Sequence, residues 1–196
     1  MFIVPKSDPN VLPWWVNDYR KLNQNTVADN HPLLLVNDIL HDCASHPYYG
    51  KIDMTNSFFQ MKMDPDSIKY TAVNTPFGLY EWCVMPMGLR NSPAVHQRHV
   101  TSVLRSLIGR ICHVYLDDIV IWSNSLEEHE HNICEVLDAL RLGNLYCSVK
   151  KSALFCREID FLGHHISSRG IKADAKKVNH IVNWPVPKTS TEVCAF

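Results

Sequence analysis

Apolar residues recur at helical spacing in four segments of the chain. The first and last of these segments are 33–45 and 174–184. The second opens with Ser92 as the predicted N-cap and Pro93 at the first helical position, and Gly109 is predicted to end it. In each segment the apolar positions line one side, so each helix is expected to bury one face.

The remaining helix begins at a capping box formed by Ser125 and Glu128 and is predicted to end at Gly143. His129 and His131 lie near its start and raise the question of a metal site. Residues two apart on a helix point in different directions, so these side chains do not converge on one ion. We interpret this stretch as a solvated helix face.

Segments of β-prone residues lie between the helices. A short strand over 48–54 ends at Asp53. Three hairpins are predicted, at 68–85 with a turn at 75–78, at 111–122, and at 153–167. Helices mixed with hairpins predict an α+β fold.

Asp117 and Asp118 sit at the centre of the 111–122 hairpin, between two apolar arms. Adjacent carboxylates beside buried strands are costly unless a cation compensates their charge, and Mg²⁺ binds such oxygens. An Asp-Asp pair alone is more often an ordinary exposed turn. Asp53 supplies a third carboxylate at another strand end, and three that converge could hold the two metal ions of an in-line phosphoryl transfer.

Composition narrows the possible partners. The chain has 196 residues, of which 46% are hydrophobic, as in a folded globular protein. A formal net charge of −1 predicts weak, salt-sensitive binding to nucleic acid, because that binding depends on neutralising phosphates. Seven scattered cysteines, no signal peptide and no long apolar run predict an intracellular protein with reduced thiols and no membrane contact.

Several long motifs follow one another in a recognisable order. Over nearly its whole length the chain resembles the reverse transcriptases of gypsy-type long-terminal-repeat retrotransposons, closest to those of fungi. The segments that carry the resemblance include VNDYRKLN (16–23), KIDMTNSFFQM (51–61), TPFGLYEWCVMPMGLRNSPAVHQ (75–97), VYLDDIVIWS (114–123) and FLGHHIS (161–167). Their order and spacing together make the resemblance specific.

The resemblance implies a right-hand polymerase core, truncated before most of the thumb. It implies that Asp53, Asp117 and Asp118 hold two Mg²⁺ ions, or Mn²⁺ in their place. The implied regions are fingers at 1–28 and 62–91, palm at 29–61 and 92–165, and the start of a thumb at 166–196.

Further roles follow from the same resemblance. Phe58 would be the ring that excludes a ribonucleotide 2′-OH, although its residue type and position alone indicate a core aromatic. The residues implied at the incoming nucleotide are Phe58, Met87, Gly88, Lys6 and Tyr115, with Lys150 or Lys151 as proton donor to the leaving group. Those implied at the template or primer are Arg20, Asn91, Ser92, Pro93 and Gly163. Arg20 is equally compatible with a surface arginine paired with Asp18.

The expected activity is RNA-directed DNA polymerisation, with an RNA or DNA template, a primer and a dNTP as partners. One departure from the family's pattern favours an alternative, a decayed and non-catalytic nucleic-acid-binding remnant. Trp14 stands where the family usually has an arginine that clamps the triphosphate, and an indole offers one donor instead of a rigid fork. Other parts of a Gag-Pol polyprotein are further expected partners, in a cytoplasmic particle or the nucleus.

Overall fold

The computed structural model describes residues 2–5, 13–32, 34–184, 186 and 189. Within these ranges no helix is long and apolar enough to cross a membrane. The helices are α1 (Arg20–Asn25), α2 (Val36–Cys43), α3 (Ser92–Val103), α4 (Leu126–Leu142) and α5 (Ala175–Val182), with 3₁₀ helices at Ser57–Gln60 and Ile68–Thr71. The strands are β1 (Phe2–Val4), β2 (Trp14–Val16), β3 (Tyr48–Asp53), β4 (Val73–Thr75), β5 (Gly78–Tyr80), β6 (Cys112–Tyr115), β7 (Asp118–Ser123), β8 (Ala153–Cys156), β9 (Glu158–Phe161), β10 (His164–Ser167) and β11 (Gly170–Ala173).

A four-stranded antiparallel sheet, in the order β6-β7-β3-β8, forms the centre of the molecule. Successive side chains of a strand point to opposite faces. Along β7, Ile119 and Ile121 belong to a core shared with α3 and α4, while Val120 and Trp122 belong to a core shared with α2, β9 and β10. The central sheet is therefore buried on both faces, and helices with antiparallel sheets confirm the α+β class.

Smaller sheets surround the centre. β1 pairs with β2, and β4 pairs with β5 across the predicted turn at 75–78. The predicted hairpin over 153–167 is present but begins later than expected, because β8 joins the central sheet through β3. The hairpin in this region is β9–β10, and Leu162 and Gly163 make its turn with φ values of 49° and 73°.

Helix α3 differs at both ends from the prediction. Its N-cap is Asn91, with Ser92 and Pro93 at the first two helical positions. The Ser92 hydroxyl donates to Pro86 O at 3.3 Å and so does not cap the helix. The helix ends at Val103, well before Gly109, which instead adopts a φ of 78° on the way to β6.

Helix α4 begins as predicted, because the Ser125 hydroxyl accepts from Glu128 N at 3.1 Å. The Glu128 carboxylate in turn accepts from Asn124 N at 2.9 Å. Gly143 is the C-cap with an ordinary φ of −78°. A side chain there would come within 2.7 Å of a Val103 methyl, so close packing against α3 requires this glycine.

The interpretation of the start of α4 as a solvated face is wrong for His129. This side chain is fully buried, and both of its ring nitrogens have partners: Nδ1 lies 2.9 Å from Ser123 Oγ, and Nε2 lies 2.9 Å from Leu154 O. His131 is exposed and faces Glu135, as a solvated face requires. Helix spacing alone separates the two side chains but does not show which of them is buried.

The first and last predicted helices are present but shorter. The segment 33–45 forms α2, and 174–184 forms α5. Leu33 and Pro185, which helped to define them, lie outside the described residues.

Candidate active site

The turn between β6 and β7 presents two carboxylates at one end of the central sheet. Tyr115 pairs with Asp118 across the strands, so Leu116 and Asp117 alone form the loop. Leu116 has a φ of 55°, a left-handed backbone that costs a non-glycine residue about 1–2 kcal/mol. Strain of this kind persists where neighbouring contacts hold the chain, and it is concentrated at functional sites.

The side chain of Gln97 makes the contacts that hold this turn. Its side chain is buried on α3, and its Oε1 accepts from Leu116 N at 2.8 Å. Its Nε2 donates to Val114 O and to Thr101 Oγ1, both at 3.2 Å. One amide thus joins α3 to the last residues of β6 and to the strained residue of the turn.

The end of β3 brings the third carboxylate to the same place. Asp53 pairs with Asp118 in the register of β3 and β7, and Met54 N donates to Asp117 O at 3.0 Å. Burial raises the pKa of Asp117, and the charges of Asp118 and Asp53 raise it further. The fold therefore brings the three predicted carboxylates together, while their role as metal ligands stays a prediction.

Two lysines compensate part of this negative charge. Lys51 Nζ lies 3.2 Å from Asp118 Oδ1, and Lys151 Nζ lies 3.5 Å from Asp53 Oδ1. Lys150 is exposed in the turn before β8. Of the two predicted proton donors, Lys151 is therefore the one whose ammonium group lies at the carboxylates.

The carboxylate oxygens at this place are candidate ligands for a divalent cation. Asp53 Oδ1 is buried and accepts no hydrogen bond, and Asp117 carries a charge that its neighbours disfavour. In the part of the chain that is described, no three His, Cys, Asp or Glu side chains are grouped so that they could hold an ion by themselves. Mg²⁺ needs only one or two carboxylates when substrate phosphates and water complete its shell. The oxygens of Asp53 and Asp117 fit that requirement, and Asp118 is engaged by Lys51.

The described residues that were predicted at the nucleotide lie in different elements or in the loops between them. Phe58 lies in the first 3₁₀ helix, four residues after Met54, and its half-buried ring packs on the core. Tyr115 ends β6 and is half-buried against the second core. Met87 is half-buried, and Lys6 lies outside the described residues.

Gly88 has a φ of 96°, which favours glycine. A side chain at Gly88 would meet Asn17 O and a Tyr19 ring carbon at 3.6 Å, an ordinary contact distance. Within the chain, the left-handed backbone explains the glycine, and its place at the incoming nucleotide stays a prediction. Gly88 O accepts from Asn23 Nδ2 at 2.8 Å, which ties this segment to α1.

Two residues predicted at the template are occupied by contacts within the chain. Arg20 is exposed and pairs with Asp18 at 2.6 Å, and this guanidinium lowers the pKa of the Asp18 carboxyl. Asn91 donates to Val27 O at 2.9 Å and accepts from Asp29 N at 3.0 Å. Both side chains organise the segment around α1, and only Arg20 extends into solvent.

The other predicted template and primer residues differ in exposure. Ser92 is buried, and its hydroxyl donates to Pro86 O inside the chain. The place of Ser92 near the template stays a prediction. Pro93 is exposed, and Gly163 lies half-buried in the β9–β10 turn.

Sequence reasoning missed Gln97, His96 and Lys51. The sequence could have indicated Gln97 and His96, since both lie one turn before Val100 on the apolar face of α3. Polar residues on such a face must find a partner or remain unpaired. Lys51 lies two residues before Asp53 and so on the same face of β3.

Comparison with known families gives a consistent result. The family model described as reverse transcriptase (RNA-dependent DNA polymerase) matches residues 4–166. The Pol polyprotein of transposon 297 from Drosophila melanogaster is 42% identical over 92% of this chain, which spans 17% of that protein. The Pol polyprotein of transposon opus, also from Drosophila melanogaster, is 36% identical over 100% of this chain and is matched over 20% of its own length. These relatives are insect elements, so the expected closeness to fungal elements stays a prediction.

Solved structures show the same relationship. The foamy viral protease-reverse transcriptase in complex with double-stranded DNA superposes with a TM-score of 0.90 at 29% identity, over 98% of this chain and 33% of that protein. The same enzyme in complex with an RNA/DNA hybrid gives a TM-score of 0.82, over 98% of this chain and 26% of that one. The match confirms the fingers and palm region of a polymerase, while the predicted boundaries between them stay predictions. The chain belongs to the reverse transcriptase family, of the type found in the Pol polyproteins of long-terminal-repeat retrotransposons.

Proposed function

We propose that this chain is the catalytic core of an RNA-directed DNA polymerase. The reaction joins a dNTP to the 3′-OH of a primer along an RNA or DNA template and releases pyrophosphate. One observation carries the proposal: Asp53, Asp117 and Asp118 converge at strand ends in a chain of the reverse transcriptase family. Because the chain spans about a fifth of the Pol relatives it matches, the activity of the whole protein is part of the proposal.

Asp53 and Asp117 would hold Mg²⁺, with Asp118 as the third carboxylate of a two-ion site and Mn²⁺ as a substitute. When bound, the ions stabilise the charge on the attacking and leaving oxygens of the phosphoryl transfer. Asp53 Oδ1 is buried and accepts no hydrogen bond, although Lys151 Nζ lies 3.5 Å away, and this oxygen and the charge repulsion at Asp117 support the assignment.

The chain's own residues contribute position and exclusion. Gln97 fixes the backbone of the turn, so Asp117 is held in one place before substrate arrives. Phe58 lies in the 3₁₀ helix that follows β3 and Asp53, and its ring would exclude a 2′-OH. Lys151 places an ammonium group beside Asp53, from which it would donate a proton to the departing pyrophosphate.

A primer–template duplex is the proposed partner. The foamy viral enzymes in the matched structures are bound to double-stranded DNA or an RNA/DNA hybrid. On this chain the exposed Arg20 and Pro93 and the Gly163 turn are the predicted residues still available to such a duplex. The net charge of −1 makes the expected affinity low and sensitive to salt.

Trp14 supports the second candidate, a remnant that binds nucleic acid without catalysis. This residue lies in β2, beside β1. An arginine fork there would stabilise triphosphate charge, and a single lost donor of this kind costs about 10²–10³ in rate. The three retained carboxylates support the active enzyme.

Primer extension on an RNA template with Mg²⁺ and dNTPs tests the proposal. The native chain is compared with Asp117→Asn, with Trp14→Arg and with the control Asp138→Asn, which removes an exposed carboxylate of α4. We expect extension by the native chain and the control, a loss of at least about a hundredfold in Asp117→Asn, and faster extension in Trp14→Arg.

Each alternative gives a different result. Extension that is equal in the native chain and Asp117→Asn would refute the assigned carboxylate. No extension by the native chain with recovery in Trp14→Arg would show a decayed enzyme. Binding of primer–template without extension in any variant would support the non-catalytic remnant.

A further inference from the structure

A histidine on α3 lies beside the candidate nucleotide site. His96 is fully buried, and neither ring nitrogen has a hydrogen-bond partner in the described part of the chain. A buried polar atom without a partner is destabilising, so its presence in a native fold calls for an explanation. Burial lowers the pKa of His96 to about 4, and the charge of His99 lowers it further. At neutral pH the His96 ring is therefore an uncharged aromatic.

The ring of His96 lies against Phe58. The two ring centroids are 5.3 Å apart and the planes are inclined by 59°, within the range of favourable tilted aromatic pairs. Phe58 belongs to a four-residue 3₁₀ helix, an element with little rigidity of its own. His96 belongs to the twelve-residue α3. We therefore expect the ring of His96, on the longer helix, to be held more rigidly than the ring of Phe58.

The neighbouring residue on α3 holds the carboxylate turn. Gln97 accepts from Leu116 N at 2.8 Å, and His96 contacts Phe58. Two consecutive residues of one helix thus contact the ring of Phe58 and the loop that carries Asp117. Helix α3 therefore links the position of this ring to the position of the loop.

We propose that His96 is a positioning residue for nucleotide selection, whose ring sets how far Phe58 reaches toward the sugar of the incoming nucleotide. The preference for dNTP over rNTP then depends on His96 acting through Phe58. This inference rests on the proposed function, in which Phe58 excludes the 2′-OH.

The test is single-nucleotide insertion with a dNTP and the matching rNTP, reported as the ratio of their kcat/KM values. We expect His96→Ala to lower this ratio about fivefold to tenfold, mainly through a lower KM for the rNTP, because Phe58 loses the contact behind it. His96→Phe restores a ring and should keep the native ratio. His99→Ala, which removes an exposed histidine from the same helix, should leave the ratio unchanged.

A double-mutant cycle separates positioning from simple packing. If His96 acts through Phe58, His96→Ala should have no further effect on the ratio in a Phe58→Ala background. Equal loss of dNTP and rNTP insertion in His96→Ala, or the same change in both backgrounds, would overturn the inference. If His96→Ala does not fold, His96→Leu takes its place, since leucine fills the space without a ring.

A binding measurement separates this inference from the proposed function. Each chain is mixed with a primer–template that ends in a chain terminator, and the rise in thermal midpoint with dNTP is compared with the rise with rNTP in Mg²⁺. If the native chain distinguishes the two nucleotides but does not extend primers, the proposed polymerase function is refuted. The inference would then stand if His96→Ala reduces that difference. A native chain that binds both nucleotides equally, or neither, would overturn the inference.

Discussion

Removing the amide of Gln97 should disorder the turn that carries Asp117. In Gln97→Leu the side chain keeps its volume but loses the acceptor for Leu116 N and the donor to Val114 O. The left-handed backbone of Leu116 then lacks the hydrogen bond that helps to hold it in the native chain. We expect the turn to relax, so that both stability and catalysis fall.

The magnitude follows from the two bonds. A buried amide hydrogen that loses its acceptor costs about 1–3 kcal/mol, and the second hydrogen bond adds about 1 kcal/mol. Gln97→Leu should therefore reduce the free energy of unfolding by about 2–4 kcal/mol. For a chain of this length that corresponds to a fall of roughly 4–16 °C in thermal midpoint. A displacement of about 1 Å at the carboxylate costs about a hundredfold in rate.

Denaturant unfolding and primer extension measure the two effects on the same preparations. Gln97→Glu keeps an acceptor for Leu116 N and should lose less stability than Gln97→Leu. Gln24→Leu makes the same change at an exposed position of α1 and serves as the control. If Gln97→Leu unfolds at the native denaturant concentration and extends primers at the native rate, the turn does not depend on Gln97 and the reasoning is refuted.

Three further predictions concern charge, metal and packing. Folding raises the pKa of Asp117, so the stability linked to its neutral form is present below pH 3.8 and is lost as pH rises through the higher folded value. Asp117→Asn should therefore raise the thermal midpoint at pH 7 and lose that advantage below pH 3.8. Mg²⁺ at a hundred times its Kd should stabilise the native chain by about 2.7 kcal/mol and so raise its thermal midpoint, and it should raise the midpoint of Asp117→Asn less. Gly143→Ala should destabilise by about 1–3 kcal/mol, because its methyl group would overlap Val103.

Each of these predictions has a decisive control. A midpoint for Asp117→Asn at or below the native value at pH 7 would contradict the charge repulsion. Equal Mg²⁺ effects on the native chain and Asp117→Asn would place metal binding elsewhere. For packing, Gly143→Ala combined with Val103→Ala should cost less than the sum of the single changes, and additive losses would exclude the clash. Gly109→Ala, with no atom within 4 Å of its added methyl group, measures backbone strain alone.

Much of the fold was predictable because local patterns agree with their surroundings. The apolar arms of β6 and β7, the 75–78 turn and the Ser125 cap are local features, and each is found in the fold. The pairing of β8 was not predictable, since it depends on β3, about a hundred residues earlier in the chain. The hairpin predicted within 153–167 is therefore confined to β9 and β10, while β8 belongs to the central sheet.

The candidate site, like the fold, was predictable from the sequence only in part. The carboxylates were predictable from their residue types, from the strand ends they occupy and from the resemblance of their motifs. Their supports were not, because Gln97 and Lys51 act on residues 19 and 67 positions away through contacts that only the folded chain creates. The burial of Ser92 was missed for a similar reason, since one residue of shift at a helix start turns each side chain by about 100° around the helix axis.

Two lysines make the carboxylate cluster compatible with a stable chain. Two like charges about 4 Å apart repel by roughly 4 kcal/mol at an effective dielectric constant of 20, which is large beside the stability of a domain of this size. Lys51 and Lys151 offset part of this repulsion at 3.2 and 3.5 Å, and both ion pairs are partly exposed. Exposed pairs contribute at most about 1 kcal/mol each, so they are easily exchanged. A stronger buried pair would stabilise the free chain better but would also compete with a divalent cation for the same oxygens. These partly exposed pairs therefore leave Asp53 and Asp118 able to exchange a lysine for a metal that arrives with substrate phosphates. Burial raises the pKa of Asp117, so added positive charge would favour its ionised form.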